Sequence, residues 1–553
     1  MDVFRRRQDV TLVAFSMGQW TYPSPLSRIR QVKPAQALEV FTSPDVAFTL
    51  SQLTERSTVA MGSIVEMPSH IAKVMPKHYS LYYNGTWHEP EKDDAYFDTF
   101  NPATGEAITK VAQATAGDTE AAIEAAHAAF PAWRDTHPEQ RRALLHKAAS
   151  IVRSKARELA LLDSINTGNP FKEMIPDAHT AADALDYFAG LIPMLKGETI
   201  PQAEDGFHYT LREPLGVVAR IVAYNHPLMF CAQKVAAPLA AGNTVVMKPA
   251  EQAPLSALYL AELLDGVFPP GVLSFVNGGV DCGVTLSTHP LVKMITLIGS
   301  VPTGKAIYRG ASATLKPLLF ELGGKNALVA YPDADLDKLV DGMTRGMNYL
   351  WAGQSCGSTS RVFLHESLHD RVLDRVTNNV QKAFVAGDPT DEKTTMGPVI
   401  SPAALDRVKS FCKDAIAEGA RLVTGGKQPE HMKKGYFFEP TIFADVDPSM
   451  RVAREEVFGP VMSVFKWNDE DDLWKTVNGT NYGLTGAVYT RDLKTAQRAV
   501  KRFECGYVWV NNVAKHYLNM PFGGQKNSGL GREECFDELL SFTQLKAVNM
   551  SLD

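Results

Sequence analysis

Several things are scarce or absent in this chain, and each absence narrows what it can do. The six cysteines, Cys231, Cys282, Cys356, Cys412, Cys505 and Cys535, are scattered, with no C-x-x-C pair and no Cys/His cluster at zinc spacing. No structural metal site is expected. Thiols so dispersed suit a reducing compartment, where each is a small core residue or a reactive one. No apolar run approaches the roughly 18–20 residues that cross a bilayer. No internal repeat or low-complexity tract is present, and neither sign of charge dominates: the formal net charge is −6 with 21% charged residues. That balance gives no general pull toward nucleic acid or anionic membrane. The expected partners are small molecules and other copies of the chain, and the expected location is the cytoplasm.

What is present is length and alternation. At 553 residues the chain exceeds one hydrophobic core, so two or three folding units with a cleft between them are expected. The first 74 residues mix Arg5, Arg6, Arg7, Arg28 and Arg30 with Pro23, Pro25, Pro34 and Pro44 without periodicity. They are too irregular for a secretory leader, whose apolar core "VTLVAFSM" would be short and broken. A transit peptide fits the arginines; a later start at Met61, Met67 or Met75 fits the methionines. Regular text begins near residue 76, with a turn at Asn84 and Gly85. From about 215 to 325, β-rich runs such as "GVVARIVAY", "TVVMKP" and "VKMITLIGS" alternate with helical stretches, the pattern of a parallel sheet with crossover helices. A second α/β stretch follows Gly324. "GFHYTLREPLG" and "SFTQLKAVNMSL" are isolated alternating strands that need pairing with each other or with another subunit.

One thiol stands in an unusual setting. Cys356, in "YLWAGQSCGSTSR", sits among Gly353, Ser355, Gly357 and Ser358, small residues that let substrate and backbone approach. It is a candidate nucleophile, although a buried thiol in a tight turn is the ordinary alternative. Glu321 in "FELGGKN" ends a strand before a Gly-Gly pair, where partial desolvation would raise its pKa toward that of a general base; a salt-bridged strand end reads the same way. Asn225 in "AYNHPLMF" could donate to a developing alkoxide, or simply form a turn. His226 suits a pocket wall better than a base, since no carboxylate is evidently spaced to orient it. In "LIGSVPTGKAI", Gly299, Ser300 and Gly304 lie between a strand and a helix, so backbone N–H groups could meet a pyrophosphate, without the G-x-G-x-x-G signature. Lys248 and Glu251 in "VVMKPAEQAP" would suit the hydroxyls of a ribose.

These stretches, in this order and with "EEVFGP" at 455–460 and "PFGGQKNSGLGRE" at 521–533, resemble the aldehyde dehydrogenase superfamily over almost everything from residue 76 onward. The resemblance implies an α/β fold: a Rossmann-like nucleotide-binding domain (76–194 and 215–324), an α/β catalytic domain (325–527) and a small β oligomerisation element (195–214 and 535–553). Residues 1–75 would be an extension, disordered or outside the functional protein. It implies Cys356 as nucleophile, Asn225 with the Cys356 backbone N–H as oxyanion hole, and Glu321 as the base that activates water. Lys248, Glu251, Gly299, Ser300, Gly304, Leu322, Glu456 and Phe458 would hold NAD, with NADP possible, and Glu251 would repel an added 2′-phosphate. Members are usually dimers or tetramers. His226, Met229, Phe230, Gln233, Trp351, Ser355, Val513, His516 and Tyr517 would line the substrate tunnel, loosely as in the betaine aldehyde and aminoaldehyde branch; an aromatic-rich wall suits an apolar or an ammonium-bearing aldehyde. A CoA-acylating relative, a cysteine hydrolase and a catalytically silent binding member are the alternatives. Glu321 opposes the first, the lack of a histidine base the second, and the intact Cys356, Glu321 and Asn225 the third.

Overall fold

The computed structural model describes residues 69–201 and 206–552. The arginine-containing start, through residue 68, and what was expected of it lie outside the described residues.

The first sheet is built on β-branched runs that are buried at every position: Val217–Ile221 (β1, VVARI) and Thr244–Lys248 (β2, TVVMK) expose neither face. Strands buried on both sides belong to parallel sheets covered by helices. With Leu273–Phe275 (β3), Val292–Ile298 (β4) and Leu318–Glu321 (β5) they pair in parallel in the order β3-β2-β1-β4-β5. The hairpin Leu81–Tyr83 and Thr86–His88 extends the β3 edge, its turn carried by Asn84 and Gly85 at φ 52° and 71°, the left-handed pair that a two-residue hairpin requires. The chain steps outward from β1 through β2 to β3, then returns to the other side of β1 for β4 and β5. The order therefore reverses between β1 and β4, where ligands of such sheets bind at the carboxyl ends of the strands.

The second sheet contains Ala327–Ala330 (β6), Arg361–His365 (β7), Thr441–Ala444 (β8), Val461–Trp467 (β9), Thr485–Tyr489 (β10) and Tyr507–Val510 (β11). They are parallel in the order β8-β9-β7-β6-β10-β11, with Arg421–Thr424 antiparallel outside β8. The chain passes from β5 directly into β6 through residues 322–326, so the carboxyl edge of the first sheet is covalently joined to the amino edge of the second.

Gly206–Pro214 and Thr543–Ser551 pair antiparallel along their whole length, with Phe207, Leu211, Leu545 and Met550 exposed. Two boundaries differ from expectation. Residues 535–542 do not belong to this ribbon: the helix Phe536–Ser541 packs on the first core, with Leu539 and Phe542 buried and Glu538 on the buried guanidinium of Arg220. The ordered unit also begins before residue 76. The short helix Ser69–Ala72 precedes Val74, and Ile71 and Val74 are both buried, Val74 against Val111, Leu162, Leu255 and Leu258. Two apolar residues at that spacing are too short a pattern to stand out in sequence.

Candidate active site

The bridge 322–326 lies where the cysteine loop and the "EEVFGP" loop converge. A Cβ on Gly324 would lie 2.8 Å from the Cys356 carbonyl oxygen, and one on Gly323 would collide with the Glu456 carboxylate. The two glycines are there because two loops press against their backbone. Asn326, at the end of the bridge, clamps the cysteine loop: its side-chain amide donates to the carbonyls of Cys356 (2.6 Å) and Ser358 (3.0 Å), and its Oδ1 accepts from the Thr485 N–H (3.0 Å). The loop leaves the helix Leu336–Gly346 through a single turn at Tyr349–Trp351, with Ala352 and Gly353 at φ 50° and 69°. Gly353 packs so closely on the Gly459 carbonyl that no side chain fits.

Cys356 is partly exposed and unpaired. Burial, then the charges of Glu321 and Glu456, push its thiol up to about 12, opposed by its own N–H and that of Gly357. Those N–H groups are donors already aimed at negative charge near the sulfur.

Glu321, the last residue of β5, is 4% exposed, and neither carboxylate oxygen has a hydrogen-bond partner among the described residues. Burial first, and then the neighbouring Glu533, hold its pKa well above the ordinary carboxylate value, while Lys234 and Arg532 pull it down. Behind it lies a buried charge cluster: Lys234 Nζ is 2.8 Å from Glu533, and Arg220 reaches Glu533 and Glu538 at 2.9 Å each. Burial would pull Lys234 down, but Glu533, Glu538 and Glu534 outweigh it and leave the ammonium raised. Lys234 is thus a firmly protonated neighbour for a carboxylate that lacks any other partner.

Asn225 follows β1 and is buried, its carbonyl accepting from Asn169 Nδ2 at 2.9 Å. No hydrogen bond from its own side chain occupies it within the described residues. Tyr224 meets Phe458 edge-on at 5.9 Å and His226 lies 5.1 Å from Trp351, so the turn touches both the "EEVFGP" loop and the approach to Cys356. Sequence alone offered His226 no orienting carboxylate; the structure supplies one. Asp177, on the helix Phe171–Leu191, sits 2.6 Å from its Nδ1. A partner 49 positions away on a different element leaves no local spacing to read.

Of the expected cofactor residues, Lys248 and Glu251 stand at the carboxyl end of β2, Gly299, Ser300 and Gly304 follow β4, Leu322 follows β5, and Glu456 and Phe458 lie in the loop before β9. Lys248 ends β2 and is largely buried. Glu251 reaches toward Gly279, where an added Cβ would lie 2.9 Å from its Oε1. Gly299 follows β4, its N–H bonded to the Glu321 carbonyl, and Ser300 caps the helix Val301–Ala311 through the Thr303 N–H. Gly304 packs on Leu322: a Cβ would lie 2.8 Å from its Cδ1, so glycine lets the helix start lie tight against the strand end. Glu456 accepts from the Gly324 N–H at 3.0 Å, and burial raises its pKa to about 7 against the pull of that bond, Lys325 and Arg407. The positive end of a helix, a glycine that lets it lie close to the strand end, and carboxylates on both sides fit a dinucleotide.

The remaining expected tunnel residues divide. Met229, Phe230 and Gln233 lie on the helix Pro227–Gln233, with Phe230 5.6 Å from His226 and the Gln233 Oε1 buried without a partner. Trp351 and Ser355 flank the cysteine loop and are partly exposed. Val513 is 1% exposed in the core behind that loop. His516 packs 4.5 Å from Phe522 and 3.2 Å from Glu534, and Tyr517 is exposed. Asn326, Lys234, Glu533 and Asp177 were not singled out in sequence. Asn326 stands inside "FELGGKN", but its role depends on a loop thirty residues on. Among the described residues, no His/Cys/Asp/Glu group could hold a metal and no helix is long and apolar enough to cross a membrane.

A thiol clamped against a glycine bridge, beside the reversal point of a nucleotide-binding sheet, defines a class of two-sheet α/β enzymes. The chain belongs to the aldehyde dehydrogenase family, whose pattern it matches over residues 87–548. Aldehyde dehydrogenase tropH of Talaromyces stipitatus is 55% identical over 490 residues, 87% of this chain and 95% of the relative. A betaine aldehyde dehydrogenase of Rhizobium etli is 40% identical over 484 residues, 87% of this chain and 98% of the relative. Among solved structures, the NAD+ complex of an aldehyde dehydrogenase from Bacillus cereus superposes with a TM-score of 0.85 at 33% identity, covering 89% of this chain and all of that one. A betaine aldehyde dehydrogenase from Staphylococcus aureus in complex with NAD+ gives 0.85 at 34%, covering 88% and 97%.

Proposed function

We propose that the protein oxidises an aldehyde to the carboxylic acid with NAD, or NADP, as hydride acceptor, through covalent attachment to Cys356. The observation that carries this reading is the clamp: Asn326 holds the Cys356 loop against the bridge that carries Glu321. Cys356 gives up its thiol proton to solvent, the thiolate Sγ attacks the aldehyde carbon, and the carbonyl oxygen takes up the electron pair between the Cys356 N–H and the Asn225 amide. Lys248, Glu251, Ser300, Glu456 and Phe458 would hold the dinucleotide, whose nicotinamide would accept the hydride. The thioester left on Cys356 is opened by water as Glu321 takes its proton, and the sulfur departs as thiolate. A carboxylate without hydrogen-bond partners suits that task, since nothing competes with water for it.

Glu251 favours NAD over NADP by repelling a 2′-phosphate. The exposed apolar residues of the ribbon Gly206–Pro214 and Thr543–Ser551 join copies of the chain into a dimer or tetramer, and the dispersed free thiols suit the cytoplasm. The test is NADH absorbance over a panel of aldehydes, with acid recovered as product. Cys356→Ala should abolish it; turnover in that variant would assign the nucleophile elsewhere.

A further inference from the structure

The His226–Asp177 pair gives the tunnel a polar feature that an aromatic wall does not need. Its imidazole follows Asn225 directly, is flanked by Phe230 at 5.6 Å and Trp351 at 5.1 Å, and is fixed through Nδ1 by Asp177 at 2.6 Å. The two side chains are only 12% and 10% exposed. Nε2 is not sealed in protein, and no hydrogen bond engages it among the described residues. One ring nitrogen is therefore oriented and the other offered, between two aromatic rings, next to the residue assigned to the oxyanion. Resting on the aldehyde oxidation proposed above, we propose that His226, held by Asp177, selects aldehydes that carry a second, acidic oxygen group, a carboxylate or an acidic hydroxyl, and disfavours ammonium-bearing aldehydes.

The chemistry of Nε2 decides between the two substrate classes. With Nδ1–H committed to Asp177, Nε2 is either an N–H donor on a cation or a lone pair on a neutral ring. An acidic oxygen matches both states, because one proton is shared between them: an anion accepts from the imidazolium, and a hydroxyl donates to the imidazole. A trimethylammonium matches neither, having no N–H to donate and meeting a cation in the first state. The charged groups that act on the ring are Asp177 and, on the helix Ala156–Thr167, Asp163; Glu173 and Lys172 lie near Asp177 on its own helix, and Cys231 lies near Asp163. Burial pulls the imidazole down, but Asp177 and Asp163 outweigh it and leave it raised, which favours the donor state. Asp177 is already engaged at 2.6 Å, so it is not a free anion for a cationic substrate.

The experiment measures kcat/KM for 3- and 4-carboxybenzaldehyde, 3- and 4-hydroxybenzaldehyde, benzaldehyde and betaine aldehyde with the wild type, His226→Phe and His226→Gln. Phenylalanine keeps an aromatic ring against Phe230 and Trp351 and removes both nitrogens; glutamine keeps a donor. The wild type should favour an acidic probe over benzaldehyde, with the carboxylate and hydroxyl arms telling which oxygen fits. In His226→Phe that ratio should fall by about 10- to 100-fold, as loss of one hydrogen bond to a charged group implies, mainly through KM, and His226→Gln should retain part of it. A second measurement needs no variant. The carboxylate preference of the wild type should be full at low pH and decline as pH rises through the raised His226 pKa, because the carboxylate itself stays ionised throughout. Betaine aldehyde as the best probe, or equal losses on all aldehydes in His226→Phe, or a pH-independent ratio, would overturn the assignment. Absence of NADH with every aldehyde would instead overturn the oxidation reading, and this proposal with it.

Discussion

On the proposed mechanism, Glu321→Gln separates what the carboxylate does for water from what its charge does to the thiol. The variant keeps the side chain's size but cannot take a proton from water at neutral pH. Loss of general-base catalysis slows hydrolysis of the thioester by about 10²- to 10⁴-fold, equivalent to about 3–5 kcal/mol of barrier at 1.36 kcal/mol per decade. Attachment and hydride transfer do not require that proton, so a burst of NADH stoichiometric with sites should precede a slow steady state in a stopped-flow trace. The second effect has the opposite sign. The Cys356 thiol is held up to about 12 by burial, and then by the charges of Glu321 and Glu456. Removing the Glu321 charge lowers the thiol pKa, so a larger thiolate fraction forms at any fixed pH below it. Iodoacetamide should then alkylate Cys356 faster in the variant than in the wild type at pH 8, with the modified peptide identified by mass spectrometry. Steady turnover near that of the wild type would remove Glu321 from water activation. Slower alkylation together with a slowed burst would show that Glu321 is the base for the thiol itself.

Three further outcomes follow from other parts of the structure. Asn225→Ala removes one donor to the developing oxyanion and should lower kcat by about 10²- to 10³-fold with little change in KM; an equal loss confined to KM would make Asn225 a binding residue only. Arg220→Ala leaves Glu533 and Glu538 buried without their guanidinium, which costs about 3–5 kcal/mol when one partner of a buried pair is removed; unchanged urea unfolding would mean that water enters the cluster. A chain started at Met75 loses the buried side chains of Ile71 and Val74, each contributing about 1.5–3 kcal/mol on full burial. It should denature at lower temperature than one started at Met67, and equal midpoints would show that this turn does not contribute.

The parts of this protein that could be read in sequence are those whose signal is local. The parallel strands announced themselves as runs such as VVARI and TVVMK, because burial on both faces removes polar residues from the whole run. The hairpin turn was legible because Asn84 and Gly85 must both take positive φ. Cys356 and Glu321 were singled out because glycines and serines crowd their loops, and Asn225 because it follows an apolar strand just before a His-Pro pair; the roles expected of them came from the family resemblance. Contacts across the gap were not. Asp177 orients His226 from another helix, Lys234 meets Glu533 only after the chain has built both sheets, and the Asn326 clamp reads as the tail of a glycine motif until the cysteine loop lies on it. The ribbon boundary was misjudged for a similar reason: residues 535–542 carry apolar side chains that could serve a strand, but Glu538 is drawn into the first core by Arg220, a charge hidden inside β1.

The site depends on joining two sheets at opposite ends. Asn225, Lys248, Ser300 and Glu321 stand at or just beyond the carboxyl ends of strands, whereas Asn326, Cys356 and Glu456 precede the amino ends of β6, β7 and β9. A single parallel sheet presents one such edge to a ligand, so a cofactor at the reversal of the first sheet would have its reacting end facing solvent. Placing a second sheet amino edge first against it brings in the loops that precede strands, and a bridge as short as 322–326 leaves them little freedom to slide. The glycines at 323 and 324 then have a specific reason. They are the points at which Glu456 and the Cys356 carbonyl reach the bridge, so a side chain at either would push the Cys356 loop or Glu456 away from Glu321. On the mechanism proposed above, these contacts on a short bridge are what hold the Cys356 loop, Glu321 and Glu456 in register while substrate and cofactor come and go.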